Sequence, residues 1–481
     1  MCIGLLAVFL SPPEGHARVS WSTPGTYRLW LLELNEFQLD ETGKTYPQAA
    51  YGLHRLRLKP KVEVGMVQVH LEFDVLTGQI FGTTTTIGSN QRLRQDQDPA
   101  RAYDGWVTVI PRQAWFAVTT EWLTLKLGQY ADQWGLGLVA NAGDEALERS
   151  WIVRPGGLWN GDLVDRIELS ISPFAGLLES HFKNLSLLAG AGTVFQDERV
   201  HLLDGGSVSE LYTGLLYRGE TNELGFRYTH REEARSEGDQ IVKQTVDAYG
   251  HSIVPLYLSN SEVRVAAHAV VSMAERTRPS GVSEQIGYAG LGRIEYRWHC
   301  PRLAVGLDLG YVSGDRADTA TDESFTTDPG FRAGFIIFDS VLRQLTVREA
   351  SRASADGLDG AYETPTHGGV RNARYVRPGV SWRPGAFFMG LNFLVAWTDE
   401  PVFSVQNTTI NQIPRDYFGI VDSEFYGTEA TVTLRYEPVV RSVTAMSMGL
   451  DLGVLVPGPA LTPETDGSPI SKILWRVDLG W

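Results

Sequence analysis

The last eleven residues of the chain alternate between apolar and polar side chains with few departures. Because successive side chains of a β-strand point to opposite faces, this pattern predicts a strand with one apolar face and one charged face. In a soluble sheet these faces would meet core and solvent, whereas in a transmembrane barrel they would meet lipid and lumen. About ten residues are enough for a tilted strand to cross a bilayer. The apolar face carries Ile473, Trp475, Val477, Leu479 and Trp481, and the opposite face includes Lys472, Arg476 and Asp478.

The rest of the chain repeats this alternation in short runs and predicts about eighteen strands. No apolar run reaches the roughly 18 residues that a membrane-spanning helix needs. The 50 glycines and 13 tryptophans suit tight turns and aromatic side chains at membrane interfaces. The predicted strands are 26–37, 50–64, 66–76, 107–120, 122–131, 163–173, 184–195, 208–218, 221–231, 244–257, 261–275, 284–298, 302–313, 372–383, 385–398, 424–437, 440–456 and 470–481.

The connections between these strands alternate between short turns and long segments. The long segments cover 77–106, 132–162, 314–371 and 399–423. Alternation is expected of an up-and-down barrel, whose turns all lie on the periplasmic side and whose loops all lie outside. We therefore predict an all-β fold, a single transmembrane antiparallel up-and-down β-barrel of about eighteen strands with short periplasmic turns and long extracellular loops. The corresponding location is the outer membrane of a Gram-negative bacterium.

The N-terminal residues predict export. A short apolar run is followed by Gly15 and Ala17, two small residues at the −3 and −1 positions of a cleavage site, so we expect a signal peptide over 1–17 and the barrel over 18–481. The alternative is a buried N-terminal strand. The formal net charge of −15 argues against nucleic acid as a partner, because phosphate binding needs a basic face. No Cys/His cluster has zinc-ligand spacing, and we expect no cofactor.

Charged residues on strands with an apolar outer face need water, so they are predicted to face a wet lumen. Two interpretations stay open. Lining charges bias which ions enter, which would give a weakly anion-selective pore, or cross-strand salt bridges brace the wall and the charges cancel. The predicted pore-lining residues are Arg55, Arg57, Lys59, Lys61, Lys126, Arg166, Arg227, Arg264, Arg293, Arg297, Arg435, Lys472, Arg476, Asp308 and Glu72.

The longest predicted loop, 314–371, is too apolar to extend freely into water. Its aromatic residues include Phe325, Phe331, Phe335 and Phe338. We expect this loop to fold into the barrel and constrict the lumen, as loops of large barrels do. The alternative is a lid outside the barrel or a surface for a partner protein.

Two motifs resemble known outer-membrane barrels. The strand from Lys126 runs into Trp134-Gly135, and Gly310-Tyr311 leads into Asp315 at the next large loop. Together with the C-terminal strand, they resemble porin and alginate-export-type β-barrels of Gram-negative bacteria, and they look most like porin-like outer-membrane proteins of myxobacteria and their relatives. The resemblance implies a porin-like barrel. It carries no substrate-binding residue over to this chain.

The loop carboxylates Asp315, Asp318 and Asp322 have the oxygen-rich character that Ca²⁺ accepts. They lack the spacing of a known calcium loop, so a solvated charged loop explains them better. Neither a G-x-S-x-G elbow nor a clustered Ser/His pair occurs, and we expect no enzymatic activity.

These patterns favour an outer-membrane channel for passive diffusion of small polar or anionic solutes, with lipid and solutes as its partners. The alternative is a barrel without an open pore that anchors or docks an envelope complex of motility, secretion or adhesion proteins. The large apolar loop and the acidity of the loops support that alternative.

Overall fold

The computed structural model describes residues 19–83, 109–143, 161–176, 181–197, 202, 207–234, 240–256, 260–278, 281–300, 302–316, 321–355, 365–438, 445–463 and 467–481. The predicted signal peptide lies outside these residues, so its assignment stays a prediction.

Strands dominate the described residues. They are β1 Val19–Ser22, β2 Gly25–Leu34, β3 Phe37–Gln38, β4 Thr45–Tyr46, β5 Ala49–Leu58, β6 Lys61–Val64, β7 Val67–Thr83, β8 Ile110–Thr119, β9 Leu123–Ala131, β10 Leu163–Ile171, β11 Leu185–Gln196, β12 Ser207–Arg218, β13 Asn222–Ala234, β14 Gln240–Leu256, β15 Ser261–Arg278, β16 Gly281–Trp298, β17 Leu303–Val312, β18 Ala373–Trp382, β19 Phe387–Trp397, β20 Phe425–Tyr436, β21 Ala445–Pro457 and β22 Ile470–Gly480.

One antiparallel sheet closes on itself to form the barrel. Each strand pairs with its neighbours in chain order, and β2 pairs with β22 to close the ring. The pairs β1–β2 and β5–β6 are each a single barrel strand interrupted near a proline, Pro24 or Pro60, which cannot donate to the ladder. The result is the predicted 18-stranded up-and-down barrel, and the fold-class prediction is confirmed. The small hairpin β3–β4 stands apart from this sheet.

The outer face of the barrel is apolar over a band of membrane thickness. In β19, exposed and buried residues alternate, with Phe387, Met389, Phe393 and Trp397 exposed. Ten residues separate Phe387 from Trp397, which at about 3.3 Å per residue and a tilt of about 40° gives a height of about 25 Å. Aromatic rings at both ends of such a strand are typical of membrane interfaces.

Most connections follow the predicted rhythm of short turns and long loops, and two depart from it most clearly. Residues 172–184 form a long connection at the turn end of the barrel, and only two residues, 279–280, join β15 to β16 at the loop end. Strands β14 to β16 are 17 or 18 residues long, so paired backbone continues past the apolar band where a loop was expected. Strand β7 likewise continues to Thr83, beyond the predicted loop start at 77.

Short helices lie in the connections. His181–Asn184 is a 3₁₀ turn, Ile337–Leu342 is a π-helical turn that runs directly into α1 Arg343–Ala355, and α2 is Val405–Asn411. Within the described part of the chain, none of the helices has the length and apolar character to cross a membrane.

A hydrophobic core fills one side of the barrel interior at the loop end. Residues of the connection 313–372 pack there against inward side chains of the wall and against residues of the neighbouring connections. The wall contributes Trp30, Leu394 and Leu455, and the connections contribute Phe335, Phe338, Val341, Leu345, Phe418 and Leu461 among others. The interior is therefore part apolar core and part charged lumen.

We predict that Phe393→Arg lowers the free energy of unfolding by about 2–4 kcal/mol, because the charge would stand at mid-height of the lipid-facing band. Reversible denaturation in lipid vesicles measures this value. The control is Val282→Arg, at an exposed apolar position next to the 279–280 connection and above the band, where we expect little change. Equal losses at both sites would contradict the assignment of the band to lipid.

Candidate functional site

The candidate site is the place where two segments of the loop-end connections fold into the barrel. The first, 321–355, belongs to the connection between β17 and β18, and the second, 132–143, follows β9. The two segments meet inside the barrel, where the Asp328 backbone N–H donates to the Leu138 carbonyl over 2.9 Å. The two segments are therefore in direct contact.

Glu429 holds the first segment from the wall. It lies on β20 and points inward, and its carboxylate accepts the backbone N–H groups of Phe335, Ile336 and Ile337 over 2.6, 2.8 and 3.0 Å. These are donors at the start of a helical segment, which have no partner within the helix. A carboxylate there also gains from the helix dipole, and charge-assisted bonds are the strong ones.

Lys472 supplies a second anchor from β22. Its Nζ lies 2.5 Å from Asp339 Oδ2, 3.0 Å from the Phe335 carbonyl oxygen and 2.8 Å from Ser340 Oγ. Burial raises the pKa of the Asp339 carboxyl, but the positive charge of Lys472 and nearby arginines holds that pKa below its ordinary value. Asp339 therefore stays ionised, and the anchor stays formed, until the pH falls below the ordinary carboxyl range.

The four predicted constriction phenylalanines lie inside the barrel, but they do not form the surface of a channel. Phe325, Phe331, Phe335 and Phe338 are all at most 4 % exposed. Phe338 packs edge-on against the ring of Tyr426 on the wall, with 5.9 Å between ring centroids. These rings anchor the segment to the wall, so the side of the segment that faces the lumen is formed by other residues.

The second segment is held by different chemistry. The Leu136 backbone N–H donates to Nδ1 of His268 on β15 over 3.1 Å, and Trp134 packs edge-to-face on Tyr249 at 5.3 Å. Asp132 accepts from Arg166 and Arg227 over 2.8 and 3.2 Å. Burial opposes the charge of Asp132, but the two guanidinium groups hold its pKa well below the ordinary range.

Most of the predicted pore-lining cations lie inward and pair with carboxylates of the wall or, for Arg166 and Arg227, with Asp132 of the in-folded segment, in line with the bracing interpretation. Buried pairs of this kind cost desolvation and persist because both partners are present. The contacts are Arg57–Asp74 at 2.7 Å, Arg57–Glu72 at 3.3 Å, Lys59–Glu72 at 3.8 Å, Arg166–Asp132 at 2.8 Å, Arg227–Asp132 at 3.2 Å, Arg264–Glu262 at 2.6 Å, Arg293–Asp308 at 2.7 Å, Arg297–Glu262 at 3.4 Å and Arg476–Asp451 at 3.7 Å.

Other predicted cations contact aromatic rings. Arg55 lies 5.7 Å from the Trp30 ring and Arg435 lies 5.7 Å from the Phe388 ring. Lys126 Nζ lies 3.4 Å from the Tyr130 ring and 4.5 Å from the Trp115 ring. Such contacts leave the positive charge without cancelling it.

Lys61 is placed differently from the other predicted lining residues. It lies on β6 near the turn end, is more than a third exposed, and pairs with Glu63 at 2.5 Å. Water screens an exposed pair of this kind, so its effect on ions inside the barrel is small.

The weak calcium candidates make hydrogen bonds to their own loop. Asp315 Oδ1 accepts from the Glu323 backbone N–H and Asp322 Oδ1 from that of Ser324. Burial and the negative charge of Asp322 raise the pKa of Asp315 to about 6. Asp318 lies outside the described residues. Among those that are described, no group of three or more metal-binding side chains occurs.

The sequence did not indicate which residues hold the two segments. Glu429 and His268 look like ordinary inward residues of alternating strands, and their partners are backbone groups of distant segments. The one local signal was Trp134-Gly135, where Gly135 has a positive φ of 52° and a side chain would strike Tyr249 and His268.

No protein-family model matches this sequence, and no curated protein matches it. Solved structures match over nearly the whole chain. The BenF-like porin from Pseudomonas fluorescens Pf-5 matches with a TM-score of 0.55 at 9% identity, covering 97% of this chain and 100% of that chain. Pseudomonas aeruginosa OccK2 (OpdF) matches with a TM-score of 0.54 at 12% identity, covering 96% of this chain and 97% of that chain. Acinetobacter baumannii OccAB2 matches with a TM-score of 0.54 at 11% identity, covering 96% of this chain and 98% of that chain.

The fold and these comparisons define the class of the molecule, an 18-stranded antiparallel β-barrel similar in fold to outer-membrane porins. At such low identity the likeness concerns the fold. It supports the predicted porin-like barrel and does not support the finer resemblance to myxobacterial proteins.

We predict that Glu429→Gln loosens the first in-folded segment, because a neutral amide cannot accept the three N–H bonds as strongly. The loss should be about 1–3 kcal/mol of local stability, seen as faster hydrogen exchange over 335–342. Glu262→Gln is the matched control, since it removes the same charge from the interior at a carboxylate that contacts wall arginines. Unchanged exchange in Glu429→Gln would contradict the anchoring role.

Proposed function

We propose that the protein is an outer-membrane channel for passive diffusion of small polar or anionic solutes, narrowed by the in-folded segments 321–355 and 132–143. The observation that carries the proposal is the anchoring of the first segment from inside the barrel by Glu429 and Lys472. A barrel that served only as an anchor has no need of charged groups that hold a loop at a fixed position in its interior.

The charge pattern supports a modest preference for anions. Many interior cations are paired with carboxylates, so they contribute little net field. Lys126 differs from them, because its ammonium group contacts aromatic rings, and in the described part of the chain no carboxylate lies within 4.0 Å of it. A charge in this position biases which ions enter.

The known neighbours fit this proposal. One matching structure is Pseudomonas aeruginosa OccK2 (OpdF) in complex with glucuronate, with a TM-score of 0.53 at 11% identity over 96% of this chain and 98% of that chain. Glucuronate is a small, polar, anionic molecule. We propose solutes of this chemical class for the present barrel, without assigning one compound.

Single-channel recording in planar bilayers tests the channel itself. We expect an open current proportional to salt concentration, and in vesicles we expect faster uptake of labelled glucuronate than of glucose, a sugar of similar size without the carboxylate. A barrel that carries no current and co-purifies with envelope proteins would favour the alternative, an anchor or docking protein.

We predict that Lys126→Gln shifts the zero-current potential in a salt gradient towards cations by about 5–15 mV, because the variant loses one interior positive charge that forms no salt bridge within 4.0 Å among the described residues, although Glu168 lies at the paired position of the next strand. Lys61→Gln makes the same chemical change at the exposed, paired position and should shift the potential much less. Equal shifts in the two variants would contradict a special contribution of Lys126.

A further inference from the structure

Both ring nitrogens of His268 are engaged, and one of them holds the in-folded segment 132–143. The side chain is fully buried on β15. Its Nε2 lies 2.5 Å from Asp247 Oδ1 on β14, and its Nδ1 lies 3.1 Å from the Leu136 backbone nitrogen. At Leu136 the loop is thus joined to the wall through the imidazole of His268.

The partners determine the protonation state of this ring. A backbone N–H can only donate, so Nδ1 must be without a proton to accept from Leu136. The ring proton is then on Nε2, where it is donated to the Asp247 carboxylate. The bond between wall and loop therefore exists only while the imidazole is neutral.

The charged groups around His268 would also accommodate the positively charged, doubly protonated form of its ring. Asp247 lies beside the ring, and its Oδ2 is buried without a hydrogen-bond partner among the described residues. Arg227 on β13 attracts Asp247 from the far side. On β16, His268 faces Leu291, and Arg293 lies two pairs further along, opposite Ala266. The phenol of Tyr249, 5.9 Å away between ring centroids, donates to Glu223.

We propose that His268 is a proton-operated latch for segment 132–143. A second ring proton, added at Nδ1, would point at the Leu136 N–H, so two donors would face each other and the bond would be lost. The protonated ring would keep its contact with Asp247, because Nε2 remains a donor. Acid would thus release the part of the segment around Leu136 from the wall, while the pairs of Asp132 with Arg166 and Arg227 remain.

The latch makes the two in-folded segments respond differently to acid. Segment 335–342 is held by Glu429 and by the Lys472–Asp339 pair, and the lowered pKa of Asp339 keeps that pair ionised at pH 5. In segment 132–143 the bond at Leu136 depends on a neutral imidazole, whereas the pairs of Asp132 with Arg166 and Arg227 do not. We expect acid to free only the part of the second segment around Leu136.

Hydrogen exchange followed by mass spectrometry tests the release in the full barrel in lipid nanodiscs. Labelling times at pH 7.5 and pH 5.0 are scaled to equal intrinsic exchange rates. At pH 5.0 we expect about tenfold or greater loss of protection around Leu136 in segment 132–143, as for loss of a hydrogen bond that closes a local structure. Segment 335–342 is the internal control and should keep its protection.

Variants of His268 separate the latch from a general effect of acid. His268→Asn places an amide oxygen near the position of Nδ1 and does not bind a proton in this range, so the segment should stay protected at both pH values. His268→Phe has no acceptor, and protection should be low at both. His70→Asn changes another interior histidine, which stacks on Trp115, and should keep the wild-type response. Protection that is equal at both pH values in the wild type, or lost equally in His268→Asn, would overturn the proposal.

The consequence for transport rests on the proposed channel function. In planar bilayers, acid should change the conductance or switching of the wild type and leave His268→Asn unchanged. A barrel that conducts with identical currents at both pH values, although the segment is released, would overturn the coupling to transport. Absence of any current would refute the channel function, and the exchange experiment would still decide the latch.

Discussion

The structure depends on the requirement that every backbone N–H and C=O inside a membrane has a partner. An open sheet would leave two unpaired edges in lipid, so the sheet must close. Closure occurs between the first and last barrel strands, where β2 and β22 pair from Thr26–Gly480 to Leu34–Lys472. In the closed sheet, successive side chains of each strand alternate between the two faces, and this alternation determines which residues face outward. Each strand presents one set of side chains to lipid and the other to the interior.

Closure creates an interior that is too wide for wall side chains alone to fill. The protein fills one part of it with an apolar core built from its own connections, and it leaves a charged part beside it. The buried phenylalanines belong to the core, and the cations and carboxylates belong to the wall around the remaining space. This division explains why an acidic protein can contain many arginines that face inward without strong net charge there.

The two in-folded segments are held by different sets of groups. A carboxylate and a lysine hold the first through charge-assisted bonds, whereas the second combines charge-assisted bonds at Asp132 with one bond to a neutral imidazole at Leu136. Bonds to ionised groups are stronger than those between neutral groups. In the proposed channel, the first segment would be the fixed part, and the turn of the second segment at Leu136 would be the part that acid changes.

The sequence by itself determined the barrel, because alternation, strand length and the rhythm of connections are local properties that the membrane constrains tightly. It also determined which side chains face inward, since that follows from the period alone. The sequence did not predict that β7 continues to Thr83 or that β14 to β16 are so long. Strand pairing beyond the membrane depends on the neighbouring strands and not on the local pattern.

Only the tertiary structure decided the partners of the inward groups. Arg57 pairs with Asp74 across β5 and β7, Glu429 meets backbone amides more than ninety residues away, and His268 meets Leu136 across the lumen. No local pattern encodes these distances, because they depend on how the connections fold back into a closed ring. The sequence determined which charged residues face the interior, and the folding of the connections determined which groups those residues contact.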